Sequence, residues 1–288
     1  MIKADLNIND ALKYLVNKLS EIYEFNEAKS ISLYYLEHLT GFSKMQIYEK
    51  RNQIISNYDR KKLIEDCSKL MQFYPVQYLT NKAWFYNNLF YICEEVLIPR
   101  QETEELVKII IDNNKEKVNK ILDIGSGSGN IAISLKLQMP QAEVFACDNS
   151  EKAIEVIKKN CDIHNCKINV IYEDIFNYNL LKLHSPYSII VSNPPYVRMS
   201  EKKMMQNNVL VYEPESALFV NDENALIYYE QIANAGISLL INGGQLYFEI
   251  NENLHQETLN MLKTIGYSNC KAIKDINDKW RIVTAIKK

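Results

Sequence analysis

The chain has 288 residues, 47% of them hydrophobic and 24% charged, which suits one large globular domain or two ordinary ones and excludes a disordered or fibrous protein. Its net charge of −3 lacks the global basic field that drives non-specific nucleic-acid binding, and no apolar run reaches the length of a membrane-spanning helix. Residues 1–7 lack the apolar core of a secretory leader, and the six cysteines (67, 93, 147, 161, 166, 270) contain no C-x-x-C pair. The expectation is a cytoplasmic monomer with reduced thiols, no membrane association, no direct DNA binding and no metal: Cys161, His164 and Cys166 have no evident fourth ligand.

In chain order, residues 5–74 carry helical periodicity. Asp10 is placed to cap a helix whose apolar side is Leu12, Leu15, Val16, Leu19, Ile22 and Tyr23. The spacing returns in Ile31, Leu33, Tyr34, Leu36 and Leu39, and again in Leu63, Ile64, Cys67, Leu70 and Met71. Gly41 separates the second helix from the next, and Pro75 closes a module over 1–75. Through Pro75 the charges nearly cancel, so the module reads as protein-binding rather than as a basic arm. Aromatic and β-branched residues over 83–98 flank Asn87-Asn88 and predict a β-hairpin, giving a linker over 76–99.

From residue 100 to 288 the pattern becomes a helix over 104–111, then alternating strands and helices. Strands are predicted at 120–124, 143–147, 169–172, 188–192 and 244–249, with a late pair at 269–273 and 281–286. This alternation predicts an open, largely parallel, Rossmann-like α/β sheet.

Only eight glycines occur, and three of them stand at Gly125, Gly127 and Gly129, directly after the first of these strands and before a helix. A glycine loop in that place lets backbone amides approach a ligand closely. The dinucleotide spacing G-x-G-x-x-G fails in both registers, because Asn130 and Ala132 occupy the third glycine position. The pattern present, from Asp123 through Gly125, Ser126, Gly127, Ser128 and Gly129, resembles the first motif of class I S-adenosyl-L-methionine-dependent methyltransferases. Asp148 ends the next strand, where a carboxylate can accept from both ribose hydroxyls, a feature that would also suit NAD. Asp174-Ile175 follow the third strand; the resemblance puts them beside adenine, and Asp174 could equally be a loop acid or a helix cap.

The fourth strand runs into Asn193-Pro194-Pro195-Tyr196. N-P-P-Y at the carboxyl end of a strand resembles the catalytic motif of methyltransferases acting on planar nitrogen, either adenine N6 or a glutamine amide. Such a nitrogen has a delocalised lone pair and attacks poorly. The Asn193 side-chain oxygen and the Pro194 carbonyl could each accept one N–H, aiming the lone pair and stabilising charge that develops in the transition state. The prolines hold the backbone and Tyr196 offers a flat face.

Flanking segments narrow the choice. Leu97-Ile98-Pro99-Arg100-Gln101-Glu102-Thr103-Glu104-Glu105-Leu106-Val107 resembles the I-P-R-P-E-T-E-E-L-V segment of the release-factor glutamine methyltransferases, the PrmC/HemK family. So do 191–197 and Tyr212-Glu213-Pro214-Glu215-Ser216-Ala217-Leu218. The resemblance implies N5-methylation of the glutamine in the Gly-Gly-Gln loop of peptide chain release factors, with 1–75 docking the protein substrate and 100–288 catalysing. It implies that Gly125 to Gly129, Asp148, Asp174, Ile175 and Asn193 hold the cofactor, that Asn193 to Tyr196 hold the glutamine, and that Arg100 and Thr103 close over the methionine end. The rival readings are a ribosomal-protein glutamine methyltransferase, an adenine-N6 nucleic-acid methyltransferase and a cofactor-binding regulator without turnover. Gln101, Asn81, Trp84 and Asn251 depart from the family pattern, and none of them lies within the glycine loop or N-P-P-Y.

Overall fold

The computed structural model describes residues 5–114 and 120–288; the first four residues of the stretch read for a leader lie outside the described residues. The chain divides into two compact units, Met1–Asn81 with Asn207–Tyr212, and Lys82–Gln206 with Glu213–Lys288.

The first unit is helical, with helices Ile8–Leu19, Phe25–Thr40, Lys44–Glu49, Asn57–Leu70 and Val76–Thr80. Their apolar stripes meet in a core of Leu15, Leu19, Ala28, Leu36, Leu63 and Leu70. The predicted cap moves. Asn7, not Asp10, caps the first helix: its extended backbone lets the side-chain oxygen accept the Asp10 amide at 2.8 Å. Asp10 instead lies in the first turn, where its charge complements the helix dipole. The helix ends at Leu19, so Ile22 and Tyr23 lie beyond it. Gly41 closes the second helix at φ +69° and Asn81 closes the fifth at φ +53°, both left-handed. Asparagine tolerates that region better than most residues, which explains how Asn81 stands where the family pattern has glycine. Asn207–Tyr212 also belongs here, and the Tyr212 hydroxyl donates to the Gln72 carbonyl at 3.0 Å.

The second unit opens with the hairpin, β1 (Lys82–Phe85) and β2 (Asn88–Tyr91). Phe85 pairs with Asn88, so the turn residues are Tyr86 and Asn87, both at positive φ, one step before the expected Asn87-Asn88. Core packing sets this register. Phe85 and Phe90 are both fully buried and meet edge to face, and a one-residue slip would turn Phe90 to the opposite face. The second arm stops at Tyr91, and a turn closed by the Val96 amide on the Cys93 carbonyl replaces the predicted strand.

The main sheet contains β3 (Lys120–Ile124), β4 (Glu143–Asp148), β5 (Asn169–Tyr172), β6 (Tyr187–Ser192), β9 (Leu240–Glu249), β10 (Ser268–Lys274) and β11 (Trp280–Ile286), while β7 (Val197–Arg198) and β8 (Phe219–Val220) form a small separate pair. Its order is β10-β11-β9-β6-β3-β4-β5, parallel except for β11, which runs antiparallel between β9 and β10. Alternation along the strands buries both faces. Leu122, Phe145, Ile190 and Phe248 face the helices Ile227–Leu239 and His255–Ile265 through Ile232 and Leu262, while Ile121, Val144, Ile189 and Tyr247 face Gln101–Asn113, Asn130–Gln138 and Glu151–Ile163 through Ile110, Ile133 and Ile157. After β5 the chain crosses back over β3 to form β6. The β3/β6 boundary is thus the topological switch point, where open α/β sheets bind ligands beyond their strand ends.

Candidate active site

A cavity opens at that switch point. Gly125 and Gly127 after β3, Asp148 ending β4, Asp174 and Ile175 after β5, and Asn193, Pro194 and Pro195 after β6 all line it. Glu95, Val96 and Leu97 form another part of the wall, which is the use made of the stretch that fails to be strand. Ser126, Ser128, Gly129, Tyr196, Arg100 and Thr103 are not among the lining residues.

The glycine loop needs glycine for two reasons. Gly125 and Gly127 adopt φ +71° and +54°, and a Cβ on either would project into open space. Gly129, at φ +77°, is crowded instead: a Cβ there would stand 3.2–3.3 Å from Ile157 and Ile133. The loop is held from behind. The Ser126 hydroxyl donates to the Asp123 carbonyl at 2.9 Å, and the Ser128 hydroxyl donates to Asn130 Oδ1 at 3.0 Å. Asn160 is fully buried: its Nδ2 donates to the Ser128 and Tyr91 carbonyls and its Oδ1 accepts the Tyr91 amide, joining loop, hairpin and helix. The sequence did carry a signal for it, a polar residue on the apolar stripe Ala153, Val156, Ile157, Asn160.

Gly129 is the N-cap of the helix Asn130–Gln138 and has no side chain to cap it. Asp123 supplies the missing acceptor, its Oδ2 taking the Ala132 amide at 3.2 Å, while its buried Oδ1 has no hydrogen-bond partner. Burial, aided by the charge of Asp148, raises the Asp123 carboxyl from 3.8 to about 7 against the lowering effect of Ser126 and Ala132. Between those two pH values the folded protein carries a proton that the unfolded chain has shed, so this group's contribution to stability declines as pH rises through the window. Asp123→Asn is expected to flatten that slope. Denaturant midpoints across the window test it, and an unchanged slope would contradict the protonated state.

Asp148 is also pushed up by burial, opposed by backbone amides. Its Oδ2 accepts from Gly127 N at 2.8 Å and its Oδ1 from Ser150 N at 2.9 Å, fixing the carboxylate at the cavity wall. Asp174 both caps and lines: Oδ1 accepts the Phe176 amide of the following turn, Oδ2 accepts from Asn149 Nδ2, and the residue still faces the cavity.

Behind Asn193 lies a buried polar cluster. Asn193 Nδ2 donates to Thr103 Oγ1 at 3.2 Å, Thr103 Oγ1 donates to Glu249 Oε2 at 2.6 Å, and the Tyr196 hydroxyl donates to Glu249 Oε1 at 3.1 Å. Burial raises the Glu249 carboxyl, while Thr103, Arg281 and Tyr196 pull it down. Arg100 forms an ion pair with Glu213, whose other oxygen accepts the Ile98 amide at 3.2 Å. That pair ties the segment around Arg100 to the segment carrying Ser216 and Ala217, both of which line the cavity. Asn251 also reaches N-P-P-Y, which its place in the sequence does not show: its Nδ2 donates to the Tyr196 carbonyl at 3.1 Å and to Glu201 at 2.8 Å.

The sheet order, the glycine loop followed by Asp148, and N-P-P-Y after β6 define a class I methyltransferase. Residues 101–232 match the family model described as Methyltransferase small domain, and residues 10–80 match the PrmC N-terminal domain. The release factor glutamine methyltransferase of Bacteroides thetaiotaomicron is 40% identical over 278 residues, 96% of this chain and 99% of that one. That of Flavobacterium psychrophilum is 39% identical over 93% of this chain and 95% of that one. The 16S rRNA N2 G1207 methyltransferase of T. Thermophilus, solved with AdoMet and guanosine, shares the fold at TM-score 0.52 and 16% identity, over 72% of this chain and 50% of that one. This chain belongs to the release factor glutamine methyltransferase family.

Proposed function

We propose that the protein transfers a methyl group from S-adenosyl-L-methionine to the side-chain amide nitrogen (N5) of the glutamine in the Gly-Gly-Gln motif of peptide chain release factors, modulating translation termination as a cytoplasmic monomer. The observation that carries this reading is a cavity lined by Gly125 and Gly127 of the glycine loop together with Asn193, Pro194 and Pro195, in a chain 40% identical over nearly its whole length to a relative named release factor glutamine methyltransferase.

The cavity's charge fits the donor. Glu95, Asp148, Glu173 and Asp174 line it, and among the described residues no Lys, Arg or His does. A dinucleotide or a nucleic-acid backbone would bring phosphates against four acids, whereas a sulfonium with an ammonium group is attracted. Gly125 and Gly127 leave room where a Cβ would protrude, and the unpartnered Asp123 oxygen lies just before them. In this reading the loop Gly125, Ser126, Gly127, Ser128, Gly129 cradles the methionine part, Asp148 takes the ribose hydroxyls, and Asp174 and Ile175 take adenine. Arg100 and Thr103 act from behind the wall. When bound, S-adenosylmethionine supplies an electrophilic methyl group on cationic sulfur.

Asn193 Oδ1 and the Pro194 carbonyl accept the two amide N–H groups of the glutamine, so its lone pair points toward the methyl group. As the nitrogen–methyl bond forms and the methyl–sulfur bond breaks, positive charge developing on that nitrogen strengthens both hydrogen bonds, which makes them more favourable in the transition state than in the ground state, and the alkylated nitrogen then sheds one of its protons to solvent. Pro194 and Pro195 keep the two acceptors rigid, and Tyr196, tied to Glu249, anchors the turn. Residues 1–75, within the helical unit, dock the protein substrate and 100–288 catalyse; the expected linker 76–99 divides instead between the two units, Val76–Thr80 with the helices and the hairpin with the second unit.

Incubation with labelled S-adenosylmethionine and purified release factor tests the reading. Label is expected on the natural factor and not on its Gln→Ala form in Gly-Gly-Gln; label that survives the substitution, or appears only on DNA, overturns it.

A further inference from the structure

An amide side chain is nearly symmetric in shape, so N-P-P-Y alone does not dictate which end of Asn193 faces the reacting nitrogen. Catalysis as proposed above needs the oxygen there; a flipped amide would present N–H to N–H. Something must break the symmetry.

The buried cluster behind Asn193 does so by counting protons. Thr103 and Glu249 are 2% and 1% exposed, so no bulk water enters the count. Glu249 accepts one hydrogen bond on each carboxyl oxygen, from Tyr196 and from Thr103, and the positive charge of Arg281 favours its accepting form. Thr103 has one hydroxyl proton and spends it on Glu249. Toward Asn193 it has only lone pairs left, so it can receive N–H and nothing else, and the amide is set with Nδ2 toward Thr103 and Oδ1 away. Arg281 holds the far side by its positive charge on Glu249, itself paired with Asp275 at 3.1 Å. The Tyr229 hydroxyl fixes the Glu249 backbone carbonyl at 3.2 Å, so the carboxylate has a firm base.

We infer that Glu249 and Thr103 form a positioning relay that fixes the orientation of the Asn193 amide, so that its oxygen and not its nitrogen meets the acceptor glutamine. Neither relay residue lines the cavity, and each acts only through Asn193. The inference rests on the methyl-transfer reading for its consequence but not for its geometry. It also gives the Thr103 of the segment around Arg100 a use that its sequence position did not indicate.

Two substitutions in the full-length protein test it. Thr103→Val keeps the shape and removes the hydroxyl, and Thr103→Ser keeps the hydroxyl. At saturating S-adenosylmethionine with release factor varied, Thr103→Val is expected to lower kcat by about 10- to 100-fold, the scale of a misplaced reacting group, with KM and cofactor affinity unchanged. Thr103→Ser is expected to restore most of the rate. Equal kcat for Thr103→Val and wild type, or an equal loss in both variants, overturns the relay. A second measurement needs no acceptor: in protein labelled with 15N-asparagine, an Asn193 side-chain amide proton is expected to exchange slowly in wild type and Thr103→Ser and fast in Thr103→Val. Identical exchange in wild type and Thr103→Val overturns the relay. If wild type labels no release factor, the methyl-transfer reading fails, and the exchange data still decide the relay.

Discussion

Asn193→Ala is expected to lower the rate of methyl transfer by about 10²- to 10³-fold, equivalent to ~3–4 kcal/mol, the scale observed when one preorganised group facing developing charge is removed. The loss belongs on the chemical step. Gly125, Gly127, Asp148 and Asp174 still line the cavity in the variant, so cofactor affinity is expected to fall far less than the rate. Single-turnover transfer from enzyme preloaded with labelled S-adenosylmethionine separates the two, and intact single-turnover transfer would remove Asn193 from the chemistry. Asn193→Asp is a sharper probe. It keeps an oxygen toward the glutamine, yet it sets a carboxylate against a Thr103 hydroxyl whose only proton is given to Glu249. Two acceptors would face each other in a buried site, and a second negative charge would approach Glu249. The aspartate variant is therefore expected to be nearly as slow as the alanine variant, although it preserves size and the acceptor atom.

The three loop glycines are expected to separate into a folding residue and binding residues. Gly129→Ala places a Cβ at φ +77° and 3.2–3.3 Å from Ile157 and Ile133. Left-handed strain of ~1–2 kcal/mol and core crowding of ~1–3 kcal/mol give a destabilisation of about 2–5 kcal/mol. For a chain of this size that lowers Tm by roughly 4–20 °C. Gly125→Ala carries the strain at φ +71° but meets no atom within 4 Å, so its stability loss is expected to stay near ~1 kcal/mol. Its methyl group instead stands at the cavity wall, and cofactor affinity is expected to fall on the order of tenfold, ~1.4 kcal/mol. Thermal melts with and without S-adenosylmethionine measure both. Equal melting losses with no difference in binding would refute the division.

Much of this was legible before any coordinates. Strand positions followed from continuous apolar runs bounded by turn residues, and all seven main-sheet strands overlap the expected segments. The parallel α/β class followed from their alternation with helices. Gly125, Gly127, Asn193, Pro194 and Pro195 were singled out from motifs, and Asp148, Asp174 and Ile175 from their places at strand ends and the family resemblance; the structure gathers all eight around one cavity. Local errors came where packing overrides local pattern. Asn87-Asn88 is a good turn dipeptide, yet burying Phe85 and Phe90 together moves the turn back to Tyr86-Asn87. Asp10 is a good cap residue, yet Asn7 reaches the helix end first.

What the sequence by itself determined, then, is everything carried by short-range spacing: the sheet class, the failure of the dinucleotide fingerprint at Asn130 and Ala132, and the two motifs that line one cavity. What only the tertiary structure decided is how distant residues share protons and charge. Thr103 and Asn193 stand 90 residues apart, Arg100 and Glu213 113, and Thr103 and Glu249 146. No periodicity encodes such pairings, because local pattern marks a polar residue without showing which distant group it meets. Only when β6, β9 and the helix after Pro99 are brought together does burial remove water as an alternative partner, and the remaining donors and acceptors must then satisfy one another.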